Sequence, residues 1–220
     1  FQSEEEIRNY PVNLDGNNNR TLLPGDFIYK DVNGDGIING MDERPIGYPE
    51  GWAPIMSFGG NIGLAWKGID LNIDLSGGAM QGWRQNYELA NAYHGNGNSP
   101  VYLLEDRWHR ADLYDPESEW IPGRYPAIRK GEFSYNNKNS DFWLHNVRYL
   151  RIKNLEVGYS LPAQLLRPIR AQKVRIYANV SNLCSFDNVG KFGVDPEITA
   201  AAAVVYPQQR TFLLGFNITY

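Results

Sequence analysis

A twelve-residue stretch carries the clearest chemistry in this sequence. Asp31, Asn33, Asp35, Asn39 and Asp42 place oxygen-bearing side chains at positions one, three, five, nine and twelve, with Gly36 at position six. This is the spacing of a calcium loop, in which position seven, Ile37, contributes its backbone carbonyl and glycine makes the sharp turn. Hard oxygen donors in this number suit calcium better than magnesium, which keeps more of its water. Position twelve is Asp rather than Glu, and its shorter arm reaches less far for a two-oxygen contact. The alternative is an Asp/Asn/Gly-rich turn held by its own side-chain hydrogen bonds. The segment ahead of the loop, Gly25 to Lys30, reads as a strand, so the arrangement is not helix–loop–helix, and a bound ion there has a structural role.

Other constellations are poorer. His94, His109 and His145 lack the close spacing of a zinc site. Cys184 reads as a small packed hydrophobe and leaves no internal disulfide. No grouping supplies nucleophile, base and oxyanion site together, so an enzyme is not expected. Trp83, Trp108 and Trp120 are candidates for stacking on sugar rings, and equally for anchoring the segment that holds them.

The elements that position these residues alternate with period two. From 55 to 67, Met56, Phe58, Ile62, Leu64 and Trp66 share a face opposite Ser57, Asn61 and small residues. Lys67 and Gly68 predict a tight turn, and Ile69, Leu71, Ile73 and Leu75 then alternate with Asp70, Asn72, Asp74 and Ser76. Strands return over 142–161, with a phase slip near Lys153 and Asn154 that predicts a β-bulge. Another follows over 174–181, and the last runs through Phe212, Leu214, Phe216 and Ile218 to Tyr220. Long connections separate them, about 81–141 and 187–209, while the other connections are short.

Composition narrows the class. Hydrophobic residues are 42% and aromatic residues 13% of the chain, and the net charge of −4 comes without a basic cluster, which argues against nucleic acid. No apolar run reaches the ~18 residues of a membrane helix. Barrel strands escape that limit because only every second residue meets lipid. The expected fold is therefore all-β, with antiparallel strands forming the C-terminal section of a large transmembrane β-barrel and long extracellular loops. Residues 1–24 read as a loop or strand connection and 25–220 as the barrel segment. Five strands, with 27–30 as a sixth candidate, cannot close such a barrel, so further strands are expected from elsewhere. Phe58, Ile62, Leu64, Ile73, Leu75, Leu214, Phe216 and Ile218 are expected to face lipid, and Asn61, Asn72, Asp74, Asn179 and Asn217 the lumen.

A series of motifs resembles the SusC/RagA family of TonB-linked outer-membrane transporters of Bacteroidetes. They are Gly25-Asp26-Phe-Ile-Tyr-Lys-Asp31-Val-Asn-Gly-Asp-Gly36, Trp66-Lys-Gly-Ile-Asp-Leu71, Tyr149-Leu-Arg-Ile-Lys-Asn154-Leu-Glu-Val-Gly-Tyr-Ser-Leu-Pro162 and Val174-Arg-Ile-Tyr-Ala-Asn-Val-Ser-Asn-Leu183. Asp195-Pro-Glu197, Tyr206-Pro207 and the aromatic end complete the series. The resemblance implies a barrel in the bacterial outer membrane and an N-terminal plug. It also implies contact with TonB through a segment absent here, a SusD-like surface lipoprotein, and import of oligosaccharides or peptides. The reading from a different class is a soluble, calcium-stabilised β-sandwich that binds carbohydrate.

Overall fold

A computed structural model describes residues 1–51, 53–129, 134–197, 206 and 208–220. Parts of the two long connections (130–133, 198–205 and Pro207 of the Tyr206-Pro207 motif) lie outside the described residues. Among the described residues seven strands occur in chain order: β1 (Met56–Trp66), β2 (Ile69–Arg84), β3 (His109–Arg110), β4 (Trp120–Ile121), β5 (Leu144–Ser160), β6 (Lys173–Asp187) and β7 (Thr211–Thr219). Three short helices accompany them, α1 (Glu4–Asn9), α2 (Val101–Glu105) and α3 (Ala163–Leu166). The chain divides into two compact units. One holds residues 1–47 and 84–144, the other the described residues of 48–83 and 145–220.

The second unit is a five-stranded antiparallel sheet in the order β1-β2-β5-β6-β7. Its strands form where alternation was read. Lys67 and Gly68 both take positive φ, 49° and 87°, and join β1 to β2 in a two-residue hairpin that matches strand twist. The expected slip is present: Ile152 pairs with Cys184 but Asn154 with Ser181, so β6 carries one extra residue across it, with Asn182 left-handed at φ 54°. On one face Phe58, Ile62 and Leu64 of β1 and Leu214, Phe216 and Ile218 of β7 are exposed rather than packed in a core. Ile73 and Leu75 are half-buried. On the other face Asn61 Nδ2 donates to Asn72 Oδ1 at 2.8 Å and to Asp74 Oδ1 at 2.7 Å.

Two strands run further than alternation indicates, β6 to Asp187 and β2 to Arg84. β2 continues past Ser76 to Arg84 although Gly77, Gly78 and Gly82 interrupt its pattern. A Cβ on Gly82 would sit on the carbonyl oxygen of Tyr48, and Gly82 N–H donates to Pro49 O at 2.9 Å. Glycine here serves close backbone approach, not a turn.

The first unit has its own core. Ser3 caps α1, its Oγ accepting from Glu6 N–H at 3.1 Å, and Ile7 packs with Leu14, Leu22 and Tyr135. Residues 1–24 thus hold a packed helix rather than a bare connection. A second cluster joins Leu103, Tyr125 and Trp143. Residues 27–30 form no strand. The backbone of Phe27 is satisfied by side chains instead, donating to Asn136 Oδ1 at 3.2 Å and accepting from the Tyr135 hydroxyl at 2.8 Å. Those partners occupy the groups a neighbouring strand would need. Residues 25–47 accordingly fall outside the sheet unit.

Candidate functional site

The 31–42 loop closes on its own oxygens. Asp31 accepts from Gly34 N–H at 2.6 Å and Gly36 N–H at 2.7 Å through separate carboxylate oxygens. Asn33 Oδ1 accepts from Asp35 N–H at 3.0 Å, and Asp35 Oδ1 from Ile37 N–H at 2.8 Å. Asp42 spans the loop, accepting from Val32 N–H at 2.9 Å with one oxygen and from Asn39 N–H at 2.8 Å with the other. Those N–H donors, Asn39 first and Val32 next, hold the Asp42 carboxyl below the usual carboxylate range. Asn39 caps the turn Gly40–Asp42, its Oδ1 accepting from Met41 N–H at 2.7 Å. Gly34 and Gly36 both sit at φ 79°, which a side chain would resist.

As a cation site the fit is mixed. Each carboxylate oxygen that accepts one N–H keeps a second lone pair, and the ligand chemistry is all hard oxygen. The amide of Asn33, however, donates to Asp35 Oδ2 at 2.9 Å. Among the described residues no three His, Cys, Asp or Glu side chains gather closely enough to hold a metal ion. The hydrogen bonds of the loop's own side chains hold its shape, and they gather the three carboxylates around one stretch of backbone.

The three tryptophans have different surroundings. Trp83 is buried, stacked on His145 at 5.4 Å between ring centroids and beside Phe192 at 5.7 Å. Trp108 is buried against Gly25, whose missing side chain makes its place. Trp120 is half-buried, with the Arg110 guanidinium 4.4 Å from its ring and Nε1 donating to Glu4 at 3.1 Å. Rings packed like Trp83 and Trp108 offer no face to a sugar, because packing already covers them.

Sequence reading assigned no role to two charged clusters in the sheet unit. Arg175 of β6 pairs with Asp70 of β2 and, at 2.7 Å, with Glu156 of β5, tying three strands across the polar face. The second centres on Arg151 of β5, whose side chain is 5% exposed. It donates to Asp195 Oδ2 at 2.6 Å, Glu197 Oε2 at 3.0 Å and Gln208 Oε1 at 2.9 Å. Lys153 Nζ reaches the same Glu197 oxygen at 2.7 Å, and Ser76 Oγ of β2 donates to Glu197 Oε1 at 3.0 Å. Arg151 thus fastens both described flanks of the β6–β7 connection to the sheet. The Asp195-Pro196-Glu197 motif and the Arg151/Lys153 pair were visible as words, but their pairing was not.

No family model matches the chain. The TonB-dependent receptor P3 of Formosa agariphila is 27% identical over 210 residues, covering 90% of this chain and 19% of the receptor. The TonB-dependent receptor SusC of Bacteroides thetaiotaomicron is 33% identical over 99 residues, 43% of this chain and 9% of SusC. The chain spans about a fifth of the length of the curated relatives matched over most of it. A solved structure of the RagAB peptide importer in its closed-closed state shares the fold, with TM-score 0.54 at 23% identity over 77% of this chain and 18% of that one. Motifs, relatives and sheet together point to the SusC/RagA family of TonB-dependent outer-membrane transporters.

Proposed function

We propose that this chain is a wall segment of a TonB-dependent outer-membrane transporter that imports oligosaccharides or peptides together with a SusD-like lipoprotein. One observation carries the reading: a five-stranded sheet exposes apolar rows on one face and ties charged and amide groups across the other. In water such a face is a liability, while in a bilayer it is the outer wall of a barrel around a polar lumen. β2, β5 and β6, with 16, 17 and 15 residues, exceed the ~9–11 needed to cross the hydrocarbon. The free edges of β1 and β7 need partner strands in lipid, which the rest of a longer barrel and its plug region would accompany. The short β1–β2 turn belongs on the periplasmic side and the 85–143 and 188–210 connections on the extracellular side. A soluble carbohydrate-binding sandwich would need a second sheet over the apolar rows. The only other sheet among the described residues is the two-stranded β3–β4 pair.

On the same reading, Asp31, Asn33, Asp35, Asn39, Asp42 and the Ile37 carbonyl hold calcium, which fastens an extracellular loop. Support comes from the twelve-position spacing and from carboxylates already folded around one stretch of backbone. Trp120, the least enclosed of the three tryptophans, is the one able to meet substrate.

The test is fractionation and uptake with the full-length protein that contains this segment. It should enter the outer membrane, run faster on gels before heating than after, and take up labelled oligosaccharide or peptide only when TonB is present. A soluble, TonB-independent protein would overturn the reading.

A further inference from the structure

The β3–β4 hairpin of the first unit presents two large side chains largely to the outside. Leu113 is 73% and Tyr114 97% exposed, at the tip of the 111–119 turn. The turn beneath them is heavily cross-bonded. Asp112 accepts from Tyr114 N–H at 2.9 Å, Asp115 from Glu117 N–H at 2.9 Å, and Ser118 Oγ donates to the carbonyls of Asp112 and Asp115 at 3.0 and 2.8 Å. Ala111 N–H donates to Glu119 O at 2.9 Å, closing the base. Below that, Arg110 binds Ser118 O at 2.5 Å and Glu4 of α1 at 2.8 Å.

A turn built this firmly around exposed apolar tips stabilises no core of its own. Its rigidity instead lowers the ordering cost of binding, and tyrosine is among the residues that dominate interface energetics. The charge around the tip restricts the occupant. Asp112, Asp115, Glu117 and Glu119 lie within the turn and no Lys or Arg does. A second copy would set acid against acid, and an anionic lipid surface would be repelled. We propose that Leu113 and Tyr114 form an anchoring knob for a partner protein whose apolar pocket is rimmed by lysine or arginine. A two-residue knob supplies one anchor within a larger contact, since stable interfaces bury roughly 1,200–2,000 Å². The occupant rests on the transporter reading, which makes the SusD-like lipoprotein that partner.

The full-length transporter is isolated with its lipoprotein, and a photo-crosslinking residue replaces Tyr114. The expected crosslink lies in a lipoprotein segment bearing Lys or Arg. The paired substitution Leu113→Ala/Tyr114→Ala should weaken the complex about tenfold or more. Glu117→Lys/Glu119→Lys should weaken it as well, and the wild-type complex should weaken as salt rises. Unchanged gel mobility before heating checks that each variant folds. Crosslinks solely within the transporter, to a second copy or to lipopolysaccharide overturn the proposal, as does undiminished affinity in an intact complex. A transporter isolated without any lipoprotein overturns the partner reading and this proposal together.

Discussion

Replacing Arg151 with methionine tests whether one guanidinium holds the β6–β7 connection to the sheet. Methionine keeps the length of the stem and removes the charged fork, so the loss reports the ion pairs rather than a cavity. Arg151 serves Asp195, Glu197 and Gln208, and the two carboxylates keep only 17% and 13% side-chain exposure. Breaking a buried pair by deleting one partner costs about 3–5 kcal/mol. Lys153 and Ser76 still hold Glu197, so the stranded group is mainly Asp195 and the expected cost falls to about 2–3 kcal/mol. At about 1.4 kcal/mol per tenfold, local opening becomes roughly 30–150 times more frequent. Hydrogen exchange on the full-length protein in detergent reads this at the Glu197 amide, which donates to Asp195 Oδ1 at 2.9 Å. Arg151→Lys keeps the charge without the fork and should fall between the two. Arg151→Met together with Glu197→Gln should cost less than the sum of the single changes. Unchanged exchange in Arg151→Met, or a larger effect from Lys153→Met, would refute the clamp.

Leu214→Arg, at an exposed position in the middle of β7, should cost roughly 2–4 kcal/mol in urea titrations of the full-length barrel in lipid vesicles. A change within about 0.5 kcal/mol would mean that Leu214 does not face lipid. Gly82→Ala should destabilise by roughly 1–3 kcal/mol, because its new Cβ meets backbone at Tyr48 and not a movable side chain; thermal unfolding of the folded gel form checks this. Asp31→Ala should abolish terbium luminescence at the 31–42 loop, and lack of luminescence from the unaltered loop in millimolar terbium would count against calcium there. Acid should release the 15–21 turn. Burial alone would raise the Asp15 carboxyl, but the Thr21 hydroxyl and the N–H groups of Thr21, Asn17 and Asn19 outweigh it and hold it at about 2. That support is complete above the unfolded value of about 3.9 and is lost as pH falls through about 2. Amide chemical shifts of Asn17 to Thr21 should titrate with that midpoint, and a midpoint near 3.9 would exclude the bonded carboxylate.

Local pattern decided the strands, because alternation with period two depends on neighbouring residues alone. It located β1, the Lys67/Gly68 turn, the slip beside Lys153 and the core of β7, and it separated the apolar rows from the Asn and Asp rows. The 31–42 spacing belongs to the same class, since its hydrogen bonds join residues at most ten positions apart. Tertiary structure decided everything that depends on distant partners. β2 runs on through Gly77 and Gly82 because the Phe58 ring and Tyr149 carbonyl pack against the first and the Tyr48 and Pro49 backbone against the second. Phe27 leaves the sheet because Asn136 and Tyr135, more than a hundred residues away, take its backbone groups. Trp83 and Trp108 look alike as words beside Trp120, and only packing determines which ring keeps a partly open face. Arg151 meets Glu197 across 46 positions, and Ser76 meets it across 121. Charge pairing at that range has no local signature, because any carboxylate satisfies a guanidinium and the fold chooses which one arrives.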